Sequence, residues 1–80
     1  MNIAYSKDAA KALSRMDKPT KQRIRQVVQG IPNGDIKPLK GVKGTNRLRI
    51  GNWRILFSYM KENEIYIRDI APRGQVYKEV

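Results

Sequence analysis

Three arginines in the stretch RLRIGNWR, Arg47, Arg49 and Arg54, have the spacing of an anion-binding site. In a strand, successive side chains point to opposite faces, so Leu48 and Ile50 fall on one side while Arg47 and Arg49 fall on the other. Gly51-Asn52 is a two-residue turn signal, with glycine supplying the positive φ of the first central position. Closing the hairpin there pairs Ile50 with Trp53, Arg49 with Arg54 and Leu48 with Ile55. Two arginines directly opposite each other disfavour a sheet unless a negative group stabilises them. A solvated basic face would use the same residues, but the charge along the chain favours a polyanion. Lys37, Lys40, Lys43, Arg47, Arg49, Arg54 and Lys61 lie between Asp35 and Glu62 with no acid among them.

The chain carries 17 Lys and Arg against 7 Asp and Glu in 80 residues, a formal charge of +10. Such an excess repels itself in a small body and attracts nucleic acid or an anionic surface. Cysteine and histidine are both absent from the sequence, which removes disulfides, thiolate metal sites and the usual neutral-pH general base. The expectation is therefore a site with no metal and no cofactor. The N-terminal MNIAYSKDAA lacks an apolar core of signal-peptide length, and no stretch is apolar enough for a membrane span. A cytoplasmic protein with no membrane partner is expected.

The elements that position these arginines follow from local patterns. Asn2 to Tyr5 reads as a short strand, and Ser6 is an N-cap with Asp8 in the first turn, starting a helix at Lys7. Ala9, Leu13 and Met16 form its apolar stripe, and Lys7, Lys11 and Arg15 its basic stripe. Asp17-Lys18-Pro19 interrupts the pattern, because the residue before proline avoids helical backbone while proline suits the first helical turn. A second helix runs from Pro19 to about Gly30, burying Ile24, Val27, Val28 and Ile31. Asp35 to Thr45 reads as a loop punctuated by Pro38, Gly41 and Gly44, with Leu39 as its anchor. After the hairpin, Trp53, Ile55 and Phe57 continue the apolar face. Arg54, Leu56 and Ser58 share the face of Arg49. Glu64 to Ile70 reads as a last strand whose face is left open by the uncertain turn at 61–63. The order is β-α-α-β-β-β: an α+β fold, a small antiparallel sheet with two helices on one face, in a single domain spanning 1–80.

Beyond the last strand, Arg73 and Tyr77 stand four residues apart after the turn signal Ala71-Pro72. Together with the K-x-L-K-G run from Lys37 to Gly41, the hairpin RLRIGNWRILF and the closing I-x-x-R-G-x-V-Y-K, they give the sequence an end-to-end resemblance. It is similar to the RelE branch of the RelE/ParE superfamily of bacterial toxin-antitoxin toxins. The resemblance implies a ribosome-dependent endoribonuclease that cuts mRNA in the ribosomal A site, with ribosome and mRNA as partners, and that is neutralised by a cognate antitoxin. It places the family's paired strand cations at Arg47 and Arg49, its next-strand arginine at Arg54, its C-terminal arginine at Arg73 and its C-terminal tyrosine at Tyr77.

On that reading the catalytic residues are Arg49, Arg54, Arg73 and Tyr77, and the RNA-binding residues are Lys40, Lys43 and Arg47. Some family members have lysine where this chain has Arg47 and Arg49. Arginine does not give up a proton, so a lysine-type general base is excluded there, and Tyr77 becomes the candidate base. Two other readings use the same composition. A ParE-like gyrase inhibitor would share the fold without needing the Arg/Tyr set, and a non-catalytic RNA-binding protein would need only the charge.

Overall fold

The computed structural model describes residues 2–61 and 63–72. Strand β1 (Asn2–Tyr5) is followed by helix α1 (Lys7–Ser14) and helix α2 (Lys18–Gln29). Four strands follow: β2 (Asp35–Pro38), β3 (Asn46–Ile50), β4 (Trp53–Tyr59) and β5 (Glu64–Pro72). The fold is α+β, as expected.

Both helices begin at side-chain caps. Ser6 Oγ accepts the Ala9 amide at 3.0 Å and donates to the Arg68 carbonyl at 2.6 Å, so one hydroxyl starts α1 and fastens it to β5. Asp17 caps α2, its carboxylate accepting the Thr20 hydroxyl at 2.8 Å and the Thr20 amide at 3.4 Å. These bonds, led by the hydroxyl, hold the Asp17 carboxyl below its ordinary pKa. Because Asp17 can cap ahead of the proline, α2 starts at Lys18, one residue before the expected Pro19. The apolar stripes meet the sheet, with Ala9, Leu13, Ile24, Val28 and Ile31 all buried and Val27 packed against them.

The sheet runs β1-β5-β4-β3-β2, with β1 parallel to β5 and every other pair antiparallel. It differs from the expected sheet in two ways. One pair is parallel where an antiparallel sheet was expected: the first strand lies alongside the last, because the two-helix connection carries the chain across one face before the antiparallel strands are laid down. The expected loop also contains a fifth strand: Asp35–Pro38 pairs along β3, with Ile36 opposite Leu48. Pro38 is tolerated there because it closes a strand on the sheet edge.

Leu48, Ile55, Phe57, Ile65 and Ile67 fill the core under the helices. Ile65 and Ile67 therefore face the helices. Phe57 pairs with Ile67 and Leu56 with Asp69, which leaves Arg68 as an extra residue in β5. This bulge shifts the alternation by one, so that Ile70 joins Ile67 in the core.

Candidate functional site

The site is built on the β3–β4 hairpin. Gly51 has φ +56°, the backbone that a two-residue hairpin asks of its first central residue, and Ile50 pairs with Trp53 around it. That closure sets the register: Leu48 lies opposite Ile55 and Arg49 opposite Arg54. Leu48 and Ile55 are fully buried under the helices. Arg47, Arg49 and Arg54 consequently share the outer face of the sheet, the one turned away from α1 and α2.

The three arginines differ in environment. Arg47 and Arg54, on interior strands, retain only 6% and 8% exposure, whereas the Arg49 side chain is 43% exposed. The second edge strand supplies a residue that the loop reading concealed. Asp35 lies directly opposite Arg49 in the β2–β3 ladder. Its Oδ2 accepts from Arg49 Nε at 2.9 Å and lies 2.9 Å from Arg49 Nη2, while its Oδ1 lies 3.8 Å from Arg47 Nη2. One carboxylate thus serves two of the three cations. The alternation Asp-Ile-Lys was the available signal for β2, but its single apolar residue was too little to mark a strand.

Lys40 and Lys43 are exposed on the loop between β2 and β3, which is closed by a 2.9 Å bond from the Leu39 amide to the Thr45 carbonyl. The loop begins three rungs along the ladder from Arg49, about 10 Å away, so these lysines extend the basic surface beyond the arginine cluster. Lys37, opposite Arg47, bridges the two regions on the same face. Arg73 and Tyr77 lie outside the described residues.

Two residues that the sequence reading did not single out belong to this outer face. Ser58 pairs with Tyr66, and Arg68 reaches across to donate from Nε to Ser58 Oγ at 2.8 Å. The Arg68 guanidinium also sits 5.5 Å from the centroid of the Tyr66 ring, within cation–π range. With the face of β5 undecided from sequence, neither residue could be assigned to the arginine side. Trp53 is half-buried against the core on the helix side. That placement agrees with its reading as a packing residue.

The arrangement can bind phosphate. It offers guanidinium groups from adjacent strands, one of them exposed and already oriented by a carboxylate. Solved structures of toxin-antitoxin proteins share this arrangement of elements. The chain superposes on the RelB-RelE antitoxin-toxin complex of Methanococcus jannaschii with a TM-score of 0.74 at 23% identity, covering 95% of this chain and 96% of that one. This is the RelE fold. For the RelE-RelB complex of Pyrococcus horikoshii the TM-score is 0.71 at 26% identity, covering 92% and 96%. For the RelBE2 complex of Mycobacterium tuberculosis it is 0.76 at 20% identity, covering 90% and 96%. No protein-family model matches the sequence, and no curated protein sequence does. The RelE likeness seen in the sequence motifs thus recurs in the three-dimensional fold, at low sequence identity. Among the described residues, no helix is long and apolar enough to cross a membrane.

Proposed function

We propose that this protein is the toxin of a toxin-antitoxin pair, a cytoplasmic endoribonuclease that cuts mRNA in the ribosomal A site. The observation that carries the proposal is the pairing of Arg49 with Arg54 on the outer face of a RelE-fold sheet, with Arg47 beside them. A binding surface could spread its cations. A site that stabilises charge developing on one phosphorus needs them together.

The reaction is an in-line attack of the 2′-oxygen on the adjacent phosphorus. A 2′-O–P bond forms and the P–O5′ bond breaks, giving a 2′,3′-cyclic phosphate and a 5′-hydroxyl. Arg49 and Arg54 hold the non-bridging oxygens, whose negative charge grows toward the phosphorane, and Arg47 holds a neighbouring phosphate. Arg73 is assigned to the charge on the departing 5′-oxygen, which takes the proton of the 5′-hydroxyl product from water. The 2′-hydroxyl proton must go to a base, and arginine cannot accept it. Tyr77, the position of the family's C-terminal tyrosine, is assigned that role. A cognate antitoxin is the expected regulator, since the similar RelE structures include complexes with RelB.

The test is translation of a defined mRNA in vitro, with cuts mapped by primer extension in the presence and absence of ribosomes. Codon-phased cuts that require ribosomes and disappear with Arg73→Ala support the proposal. Intact mRNA with folded protein overturns it.

A further inference from the structure

Asp35 is the unexpected member of the arginine face. A carboxylate beside a phosphate-binding site weakens phosphate binding by simple charge, so its presence there calls for a compensating role. Its geometry supplies one. Arginine has five N–H donors in a planar fork. The carboxylate sits on the edge formed by Nε and Nη2, both 2.9 Å from the same oxygen. This leaves two donors on Nη1 and one on Nη2. Those donors form the end-on edge that binds a phosphate in a bidentate manner.

We propose that Asp35 is a positioning residue: it grips the inner edge of the Arg49 guanidinium and presents the Nη1/Nη2 edge to the scissile phosphate. The inference rests on the nuclease reading of this face. The strand register makes the role possible, because Asp35, Arg49 and Arg54 occupy successive strands on one rung. Asp35 flanks Arg49 on one side and Arg54 on the other. The long, exposed Arg49 side chain, which would otherwise sample many rotamers and be pushed away by Arg54, is thereby held between its neighbours. Asp35 Oδ1 lies 3.8 Å from Arg47 Nη2, beyond hydrogen-bond reach, so the contacts that orient a guanidinium are those to Arg49.

Positioning and simple masking make opposite forecasts for Asp35→Asn, which keeps the shape and removes the charge. If Asp35 positions Arg49, kcat on programmed ribosomes falls about tenfold because the donor is no longer aimed, while KM stays or rises. Asp35→Glu recovers part of kcat. If the carboxylate only competes with RNA for Arg49, kcat and affinity rise together, and the proposal is overturned.

The coupling between the two residues is the deciding readout. In an Arg49→Ala background, Asp35→Asn changes the rate by less than about twofold, because the residue it aims is gone. An equal effect in both backgrounds overturns the proposal. The same cycle run as binding of an oligoribonucleotide blocked by a 2′-O-methyl group separates this inference from the nuclease reading. Wild-type protein that fails to cut removes the nuclease reading. In the binding cycle, binding that Asp35→Asn weakens only in the background that retains Arg49 still supports the orienting pair, and tighter binding there or an equal effect in both backgrounds rejects it. Thermal unfolding of each variant identifies any loss caused by misfolding.

Discussion

Arg49 and Arg54 face each other across the β3–β4 ladder, so two guanidinium groups occupy one rung of a sheet whose helices lie on the other side. Asp35 flanks Arg49 from the opposite strand and offsets part of the repulsion. Positive charge gathered on one rung favours the binding of an anion.

Sulfate or inorganic phosphate should raise Tm, because an anion that binds the folded protein alone stabilises it by mass action. At about 100 times its Kd, the stabilisation is about 2.7 kcal/mol for one site. Arg49→Ala should remove most of the anion-dependent rise in a thermal melt, whereas Lys11→Ala, on the helix side, should leave it intact. Equal rises in the two variants would show that the anion acts elsewhere.

Ser6 provides a structural prediction. Its hydroxyl caps α1 and donates to the Arg68 carbonyl at the β5 bulge. Ser6→Ala should lower stability by about 0.5–2 kcal/mol, the range of a lost N-cap. Denaturant unfolding measures this as a lower midpoint with an unchanged m-value. Ser6→Thr, which keeps the hydroxyl, should recover most of it.

Asp17 provides the pH dependence. Thr20 holds the Asp17 carboxyl below its ordinary pKa in the folded chain, so the folded state binds fewer protons than the unfolded state as pH falls. Its stabilising contribution is complete above the unfolded pKa of about 3.9 and is lost as pH drops through the lower folded value. Asp17→Asn can still cap α2 but carries no charge. The Tm gap between wild type and this variant should therefore be constant near neutral pH and close on acidification below about pH 4.

How much of this was legible from sequence depended on whether a feature is local. The hairpin register followed from four alternating residues and Gly51-Asn52, because a two-residue turn leaves one pairing. The helices were legible from Ser6, from the Asp17-Lys18-Pro19 break and from apolar residues at helical spacing. Strand β2 was not, since Asp-Ile-Lys-Pro is too short to display a period and ends in a proline that reads as loop. The bulge at Arg68 was hidden for a related reason: alternation through Ile65 and Ile67 forecasts the wrong face for Ile70, and only the β4 partner reveals the extra residue. Asp35 was the largest omission. It looked like the acidic boundary of a basic run, whereas a contact spanning 14 residues places it inside the arginine cluster. The burial of Arg47 and Arg54 was likewise invisible, because it depends on which strands flank β3 and β4.

The most direct test of the account is the single-turnover rate of mRNA cleavage on programmed ribosomes by Arg54→Ala, measured beside its affinity for the same complex. If the paired arginines stabilise charge on the phosphorane, the rate should fall by about 10²–10³ while affinity changes by far less. A rate that stays within about twofold of wild type at saturating protein would contradict the account and leave the hairpin a docking surface.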